Sequence, residues 1–99
     1  MTQIIRAANV NPADRSGTIT TGGVAQSLLP LSHSRYGFWF QNNSNGDLWI
    51  SDVGTAAAAQ PSLKIVPGAL YESPITGSAA GAHSLFGAIT AQAFSCREF

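Results

Sequence analysis

The chain has 99 residues, of which 44% are hydrophobic and 10% charged, and its five basic and five acidic side chains cancel. This length provides one domain, and the low, balanced charge excludes the basic patch with which nucleic-acid-binding proteins contact phosphates. The single cysteine excludes an intramolecular disulfide, and no apolar run is long enough for a membrane span. We therefore expect a soluble protein that binds neither nucleic acid nor membrane and uses its weakly charged surface for other contacts.

Residues 1–16 are predicted to form an extended N-terminal arm. They lack the features of a secretory signal, and their apolar pair is Ile4 and Ile5. Asn, Pro and Asp follow, so no periodic face is available to join a core. The alternative is a first edge strand through Ile4 and Ile5. The remaining residues, 17–99, are predicted to form one β-sandwich domain.

Strand-like segments alternate with turn-forming sequences along that domain. Three turns, at 22–23, 67–68 and 90–92, predict hairpins that join 17–21 to 24–29, 62–66 to 69–73 and 84–89 to 93–98. The small residues of 52–61 and 76–82 predict loops. With about eight short strands and no helical periodicity, the chain is predicted to be all-β, an antiparallel β-sandwich or jelly roll, or a small barrel.

The segment from Tyr36 to Ser51 predicts a central hairpin. Apolar residues alternate on both sides of a five-residue loop, 42–46, that is dense in Asn and Gly. Such a loop would pair Phe40 with Leu48, Phe38 with Ile50 and Trp39 with Trp49. We therefore predict that the first two pairs form a core face and that both indoles are neighbours on the other face.

No combination of residues in the sequence predicts catalysis or metal binding. His33, His83, Cys96 and Asp52 are scattered without the spacing of metal ligands. No serine lies in a nucleophile motif, and no pair of carboxylates is placed for glycoside hydrolysis. We expect that the protein is not an enzyme and that it has no cofactor.

Trp39 and Trp49 are candidate binding residues. Two indoles on one exposed sheet face could stack on sugar rings. The interpretation we favour is that they cover the sheet or fill a subunit contact, because Trp is enriched in interface cores. No cluster of Asp, Asn and Arg that could bind hydroxyl groups obviously flanks them in the sequence.

Short motifs in the chain resemble those of small virion proteins of tailed bacteriophages. In that group a TTGG-type turn, a QN pair after an aromatic strand, an L-W/Y-I strand and an APG turn follow one another, and the C-terminal strand ends in a charged and aromatic tail. The matching segments here are 20–23, 41–42, 48–50, 66–68 and 97–99. Val66 stands in place of the usual Ala. The resemblance covers roughly residues 18–99.

The resemblance implies a β-sandwich or jelly-roll capsid decoration (cement) protein. Such a protein is made in the cytoplasm of the bacterial host and binds the major capsid protein on the outer surface of the virion, which it stabilises. Ile4 and Ile5 would then anchor the arm, and a homo-oligomer, either dimer or trimer, is expected. The alternative is a tail or fibre module that binds host-surface glycans through Trp39, Trp49 and the loop 42–46.

Overall fold

A computed structural model of the protein describes residues 12–75 and 77–99, which form short strands and one 3₁₀ turn. The strands are β1 (Ala13–Asp14), β2 (Gly17–Thr18), β3 (Gln26–Leu29), β4 (Phe38–Asn42), β5 (Leu48–Ser51), β6 (Leu63–Ile65), β7 (Leu70–Glu72), β8 (His83–Gly87) and β9 (Ala93–Glu98). The 3₁₀ turn is Gly77–Ala80 and lies between β7 and β8. The described part of the chain contains no α-helix.

The strands form two antiparallel sheets, and this confirms the predicted all-β class. Sheet A has the order β1-β9-β4-β7, with β2 also paired to β9. Sheet B has the order β3-β8-β5-β6. Because β1 and β2 pair with successive parts of β9, they act as one edge strand that is interrupted at residues 15 and 16. The last four residues of the predicted arm, 13–16, therefore lie in or between paired strands, whereas Ile4 and Ile5 lie outside the described residues.

The predicted turns are in the right places, but the hairpins are wrong. Each turn carries the chain from one sheet to the other, so β2 and β3, β6 and β7, and β8 and β9 are not partners. The turn at Pro67 and Gly68 shows the local chemistry that was expected, since Gly68 has φ of 81° and Ala69 donates to the carbonyl of Val66 at 3.0 Å. Among the described strands, β5 and β6 are the one consecutive pair that shares a ladder.

The central hairpin is wrong for the same reason. β4 pairs with β7 and β9 in sheet A, and β5 pairs with β6 and β8 in sheet B. The loop 42–46 is long enough to cross the roughly 10 Å between two packed sheets. Alternation shows which side of a strand is buried, but it does not show which strand lies beside it.

The predicted core face is confirmed. Phe38 and Phe40 from sheet A and Leu48 and Ile50 from sheet B are at most 2% exposed and belong to one apolar cluster. The ring of Phe40 also stacks on that of Phe94, with centroids 5.5 Å apart. These side chains meet across the space between the sheets, and the alternate residues of β4 therefore face outward.

Arg35 lies just before β4 and binds neighbouring loops. We call this end of β4 the Arg35 end. Its side chain is 1% exposed. The guanidinium donates to four acceptors at 2.6–3.0 Å: Glu98 Oε1 and the carbonyls of Ala79, Gly81 and Pro30. One buried cation therefore ties two loops to the end of β9.

Asn42 organises the opposite end of β4, here called the Asn42 end. Its Nδ2 donates to the carbonyls of Gly46 and Ile65 at 2.8 and 2.7 Å, and its Oδ1 accepts from the backbone and hydroxyl of Ser44. Gln92 is also buried and donates to the Ser44 hydroxyl at 3.1 Å. Neutral amides thus hold the turns that cross between the sheets at this end.

Candidate interaction surface around Trp39

Trp39 lies in the middle of the outer face of sheet A. Its register partners are Arg97 on β9 and Glu72 on β7, so the three side chains form one row across the sheet. Antiparallel pairing brings directly opposite side chains within contact distance. Trp39 is 38% exposed, which leaves a large apolar side chain partly in water.

Three neighbours fix the orientation of the indole. Its Nε1 donates to Glu72 Oε2 at 3.1 Å, and the Arg97 guanidinium lies 5.4 Å from the ring centroid. Phe99 packs edge-on, with centroids 6.0 Å apart. The hydrogen bond, the cation–π contact and the edge contact each favour one ring position, so Trp39 is held in place before any ligand arrives.

A shallow depression of about 400 Å³ opens beside the indole. Polar groups of β1, β4 and β9 surround it, and Leu70 and Pro12 complete its wall; the polar side chains are those of Asp14, Ser16, Gln41, Ser95 and Arg97. Hydrogen bonds from Ser16 lower the pKa of Asp14, with a smaller contribution from Arg97. The Asp14 carboxylate is therefore ionised and able to accept hydrogen bonds at neutral pH.

Trp49 lies on the outer face of sheet B, which contradicts the prediction that the two indoles are neighbours. Its register partners are Lys64 and Phe86, and the Lys64 ammonium lies 5.8 Å from the ring centroid. Trp49 lines none of the four best-formed depressions in the described part of the chain. A sugar platform made of both indoles is therefore excluded.

Ser27, Asp52 and His83 line a second depression, of about 580 Å³, but they do not form a catalytic triad. His83 Nδ1 donates to the carbonyl of Gly81 at 2.9 Å, and within the ranges 12–75 and 77–99 no hydrogen bond joins the three side chains. Burial lowers the pKa of His83, so the imidazole is neutral at physiological pH. A nucleophile needs a base within hydrogen-bond reach, and this geometry does not supply one.

Cys96 points into the core and has the chemistry of a buried thiol. Burial, with a smaller contribution from Glu98, raises its pKa to about 12. The thiolate is the reactive form of cysteine, so this side chain is unreactive in the folded protein. Among the residues that the structure describes, no group of three or more His, Cys, Asp and Glu side chains could hold a metal ion.

Sequence reasoning identified Trp39 but missed the polar side chains around it. Gln41 and Arg97 alternate with core residues of their own strands and so could be predicted to face outward. That they lie beside Trp39 follows from the pairing of β4 with β9, strands that are about fifty residues apart in the chain. Local patterns do not carry that information.

Comparison with protein-family models, with curated proteins and with solved structures finds no match. Within the described residues, no helix has the length and apolar character needed to cross a membrane. What this surface does must be inferred from its own residues and from the strand order.

Proposed function

We propose that this protein is a structural component of a tailed-bacteriophage virion, a decoration protein that binds the outside of the major capsid shell. It is made in the bacterial cytoplasm and acts through contact area without catalysis. On the shell it forms a homo-oligomer, either a dimer or a trimer, around a symmetry axis.

The strand order is the observation that carries this proposal, because it supports a jelly roll. Sheet A pairs β2 with β9 and β4 with β7, and sheet B pairs β3 with β8 and β5 with β6. The chain thus folds back on itself as one long ribbon, with β5 and β6 at its tip, and the ribbon is rolled into two sheets. Jelly rolls form viral capsid domains and also lectins. Because a fold alone does not define a function, the motif resemblance must decide between these classes.

The motifs that resemble phage virion proteins lie at positions that this fold requires. The segments 20–23 and 66–68 form two turns that cross between the sheets. Asn42, the second residue of the QN pair, holds a third crossing turn through its side chain. The shared motifs therefore support a shared fold, and the low charge of the chain suits a protein that packs densely against neighbours.

Attachment is assigned to two regions. Ile4 and Ile5 precede β1 in the chain, and β1 lies at the edge of sheet A, so we propose that these two side chains anchor to a capsid subunit. The opposite side of the molecule presents exposed Leu63 and Val66 on and directly after the edge strand β6. This apolar edge is suited to a contact between copies of the chain.

The test uses capsid shells that lack the protein and adds the purified full chain. We expect saturable co-sedimentation and added density on the outer shell in electron cryomicroscopy. The variant Ile4→Asp/Ile5→Asp should fold normally and bind the shell at least about tenfold more weakly, a loss of about 1.4 kcal/mol. Val53→Asp, a change at an exposed loop residue, is the matched control. Density on the tail or no binding to shells would contradict the proposal.

A further inference from the structure

We propose that the depression beside Trp39 binds a neutral oligosaccharide. The site consists of the indole, the polar side chains around it and the wall formed by Leu70. This inference does not depend on capsid binding, because it uses the outer face of sheet A alone. The proposed site uses Trp39 and its neighbours only, because Trp49 lies on the other sheet and cannot bind the same ligand.

The apolar part of the ligand would lie against the indole. A sugar ring carries a patch of C–H groups on its face and hydroxyl groups around its rim, so it needs an aromatic surface bordered by hydrogen-bonding groups. Trp39 provides that surface at 38% exposure, and Glu72, Arg97 and Phe99 already hold the ring in position. A ligand therefore does not bear the entropic cost of ordering the indole.

The polar part of the ligand would meet both donors and acceptors. The Arg97 guanidinium donates no hydrogen bond to another described residue, so its N–H groups are available. Asp14 lines the depression and Glu72 borders the indole, and both carboxylates have further lone pairs beyond those used by Ser16 and Trp39. The Gln41 amide makes one long hydrogen bond, at 3.4 Å, to a backbone carbonyl. Hydroxyl groups can both donate and accept, and so they match this mixture.

The charges of the site favour a neutral ligand over an anionic one. Arg97 lies between two carboxylates in register, Asp14 on β1 and Glu72 across Trp39 on β7. An acidic sugar, a phosphate or a nucleic acid would meet one cation and two anions, and like charges disfavour binding. The volume of about 400 Å³ lies within the range of small-ligand sites, and the open shape suits a chain of sugars more than a single enclosed ring.

Trp49 provides an internal control. It also lies close to a cation, Lys64, but it lines none of the four best-formed depressions in the described part of the chain, and Lys64 lies 3.8 Å from the Asp47 carboxylate. A general affinity of exposed indoles for sugars would affect both residues. A specific binding site beside Trp39 would place the sugar in contact with Trp39 and not with Trp49.

The experiment follows the two indole N–H signals of the full chain by NMR during titration with hexasaccharides of glucose, mannose and galactose. Each is added to about 10 mM, since we expect a dissociation constant of about 1 mM for the preferred sugar. The Trp39 signal should shift saturably with at least one of them, while the Trp49 signal stays in place. A hexasaccharide of galacturonic acid should bind more weakly than its neutral galactose counterpart.

Variants test the assignment. Followed through the backbone amide signals of Ser95 and Arg97, which line the depression, binding should weaken at least about tenfold in Trp39→Ala and severalfold in Gln41→Ala, while the matched Trp49→Ala leaves it unchanged. Thermal melts establish that each variant is folded. The proposal is overturned if no neutral hexasaccharide shifts the Trp39 signal, if both indole signals shift together, or if the acidic hexasaccharide binds as tightly as the neutral ones.

Discussion

The two ends of β4 solve the same structural problem with different chemistry. At the Arg35 end a buried guanidinium collects backbone carbonyls and one carboxylate. At the Asn42 end, buried amides do this without any charge. Both networks hold chain segments that cross between the sheets, and both leave their buried polar atoms paired.

The difference lies in what happens when a network is broken or titrated. A buried charge that loses its partner lowers the stability strongly. Removal of a buried amide leaves only neutral groups without a hydrogen bond, and this costs less. Glu98 and His83 also lie at the Arg35 end, since Glu98 accepts from Arg35 and His83 shares the Gly81 carbonyl with it. The Arg35 end should therefore dominate both the mutational and the pH sensitivity of the fold.

The largest effect is expected for Arg35→Ala. The substitution leaves Glu98 with one cation and leaves the carbonyls of Ala79 and Pro30 without a donor, while Gly81 keeps His83. The free energy of unfolding should therefore fall by about 3–5 kcal/mol in a urea titration. Arg15→Ala is the control, because Arg15 contacts the same carboxylate from a side chain that is 44% exposed. It should cost less than about 1 kcal/mol. Equal losses for the two variants would show that burial is not what matters.

Asn42→Ala should cost less, about 2–3 kcal/mol, because it removes the side-chain donor to the Ile65 carbonyl and the acceptor of Ser44 but leaves no charge unpaired. Asn43→Ala is the matched control in the next position. Its side chain is exposed and donates to the hydroxyl of Ser95, so the change should stay within about 0.5 kcal/mol. If Asn42→Ala proved as harmful as Arg35→Ala, charge would not distinguish the two ends.

The pH dependence of stability should come mainly from the Arg35 end, in two steps, with a further contribution below about pH 3.8 from exposed Asp14, whose pKa is lowered by hydrogen bonds from Ser16. Unfolded His83 gains a proton below about pH 6.5, whereas folded His83, its pKa lowered by burial, gains it only at lower pH. The unfolded chain then binds more protons, so stability falls as the pH drops below about 6.5. Burial of Glu98 would raise its pKa, but hydrogen bonds from Arg35 and Arg15 lower it below 4.5 overall. A second loss therefore begins below about pH 4.5.

Urea titrations from pH 8 to pH 3, a range chosen to span both of those pKa values, measure these steps. His83→Gln should flatten the first step and Glu98→Gln the second. Asn42→Ala should lower the whole curve and keep both steps, because its network contains no titratable group. A changed curve shape in Asn42→Ala would contradict the separation of the two ends.

The smallest effect concerns Cys96, which lies on β9 between the ends. With a pKa of about 12 and a buried side chain, the thiol should not react with a disulfide reagent while the protein is folded. Labelling should follow unfolding, so its rate should rise most in Arg35→Ala and less in Asn42→Ala. Fast labelling of the native chain would show that the Cys96 thiol is accessible.

The sequence predicted local features of the fold well. Alternation identified the core faces of β4 and β5, and the Gly and Pro residues marked the turns. The sequence did not predict which strands pair, because a turn of two to five residues can connect either two strands of a hairpin or two strands in different sheets. In the structure the side chain of Asn42 binds the carbonyl of Ile65, which lies on a strand of the other sheet, and this contact could not be predicted from the turn sequence.

The site was predictable only in part. Trp39 is conspicuous as an aromatic residue on the outward side of its strand. Arg35 was one of several scattered cations, and nothing near it in sequence signals burial, because its acceptors come from separate segments of backbone. Arg97 and Glu72 flank Trp39 only because strands far apart in sequence pair with β4.

The crossing turns have a consequence for how the chain reaches its native state. Since nearly every ladder joins strands that are distant in sequence, the fold has a high contact order and should form slowly. β9, the last strand, pairs with β1, β2 and β4, so most of sheet A cannot assemble until β9 has left the ribosome. The β5–β6 pair is the one ladder available early. Sheet A of a nascent chain should therefore assemble only after β9 has been synthesised, and until then Phe38 and Phe40 stay exposed.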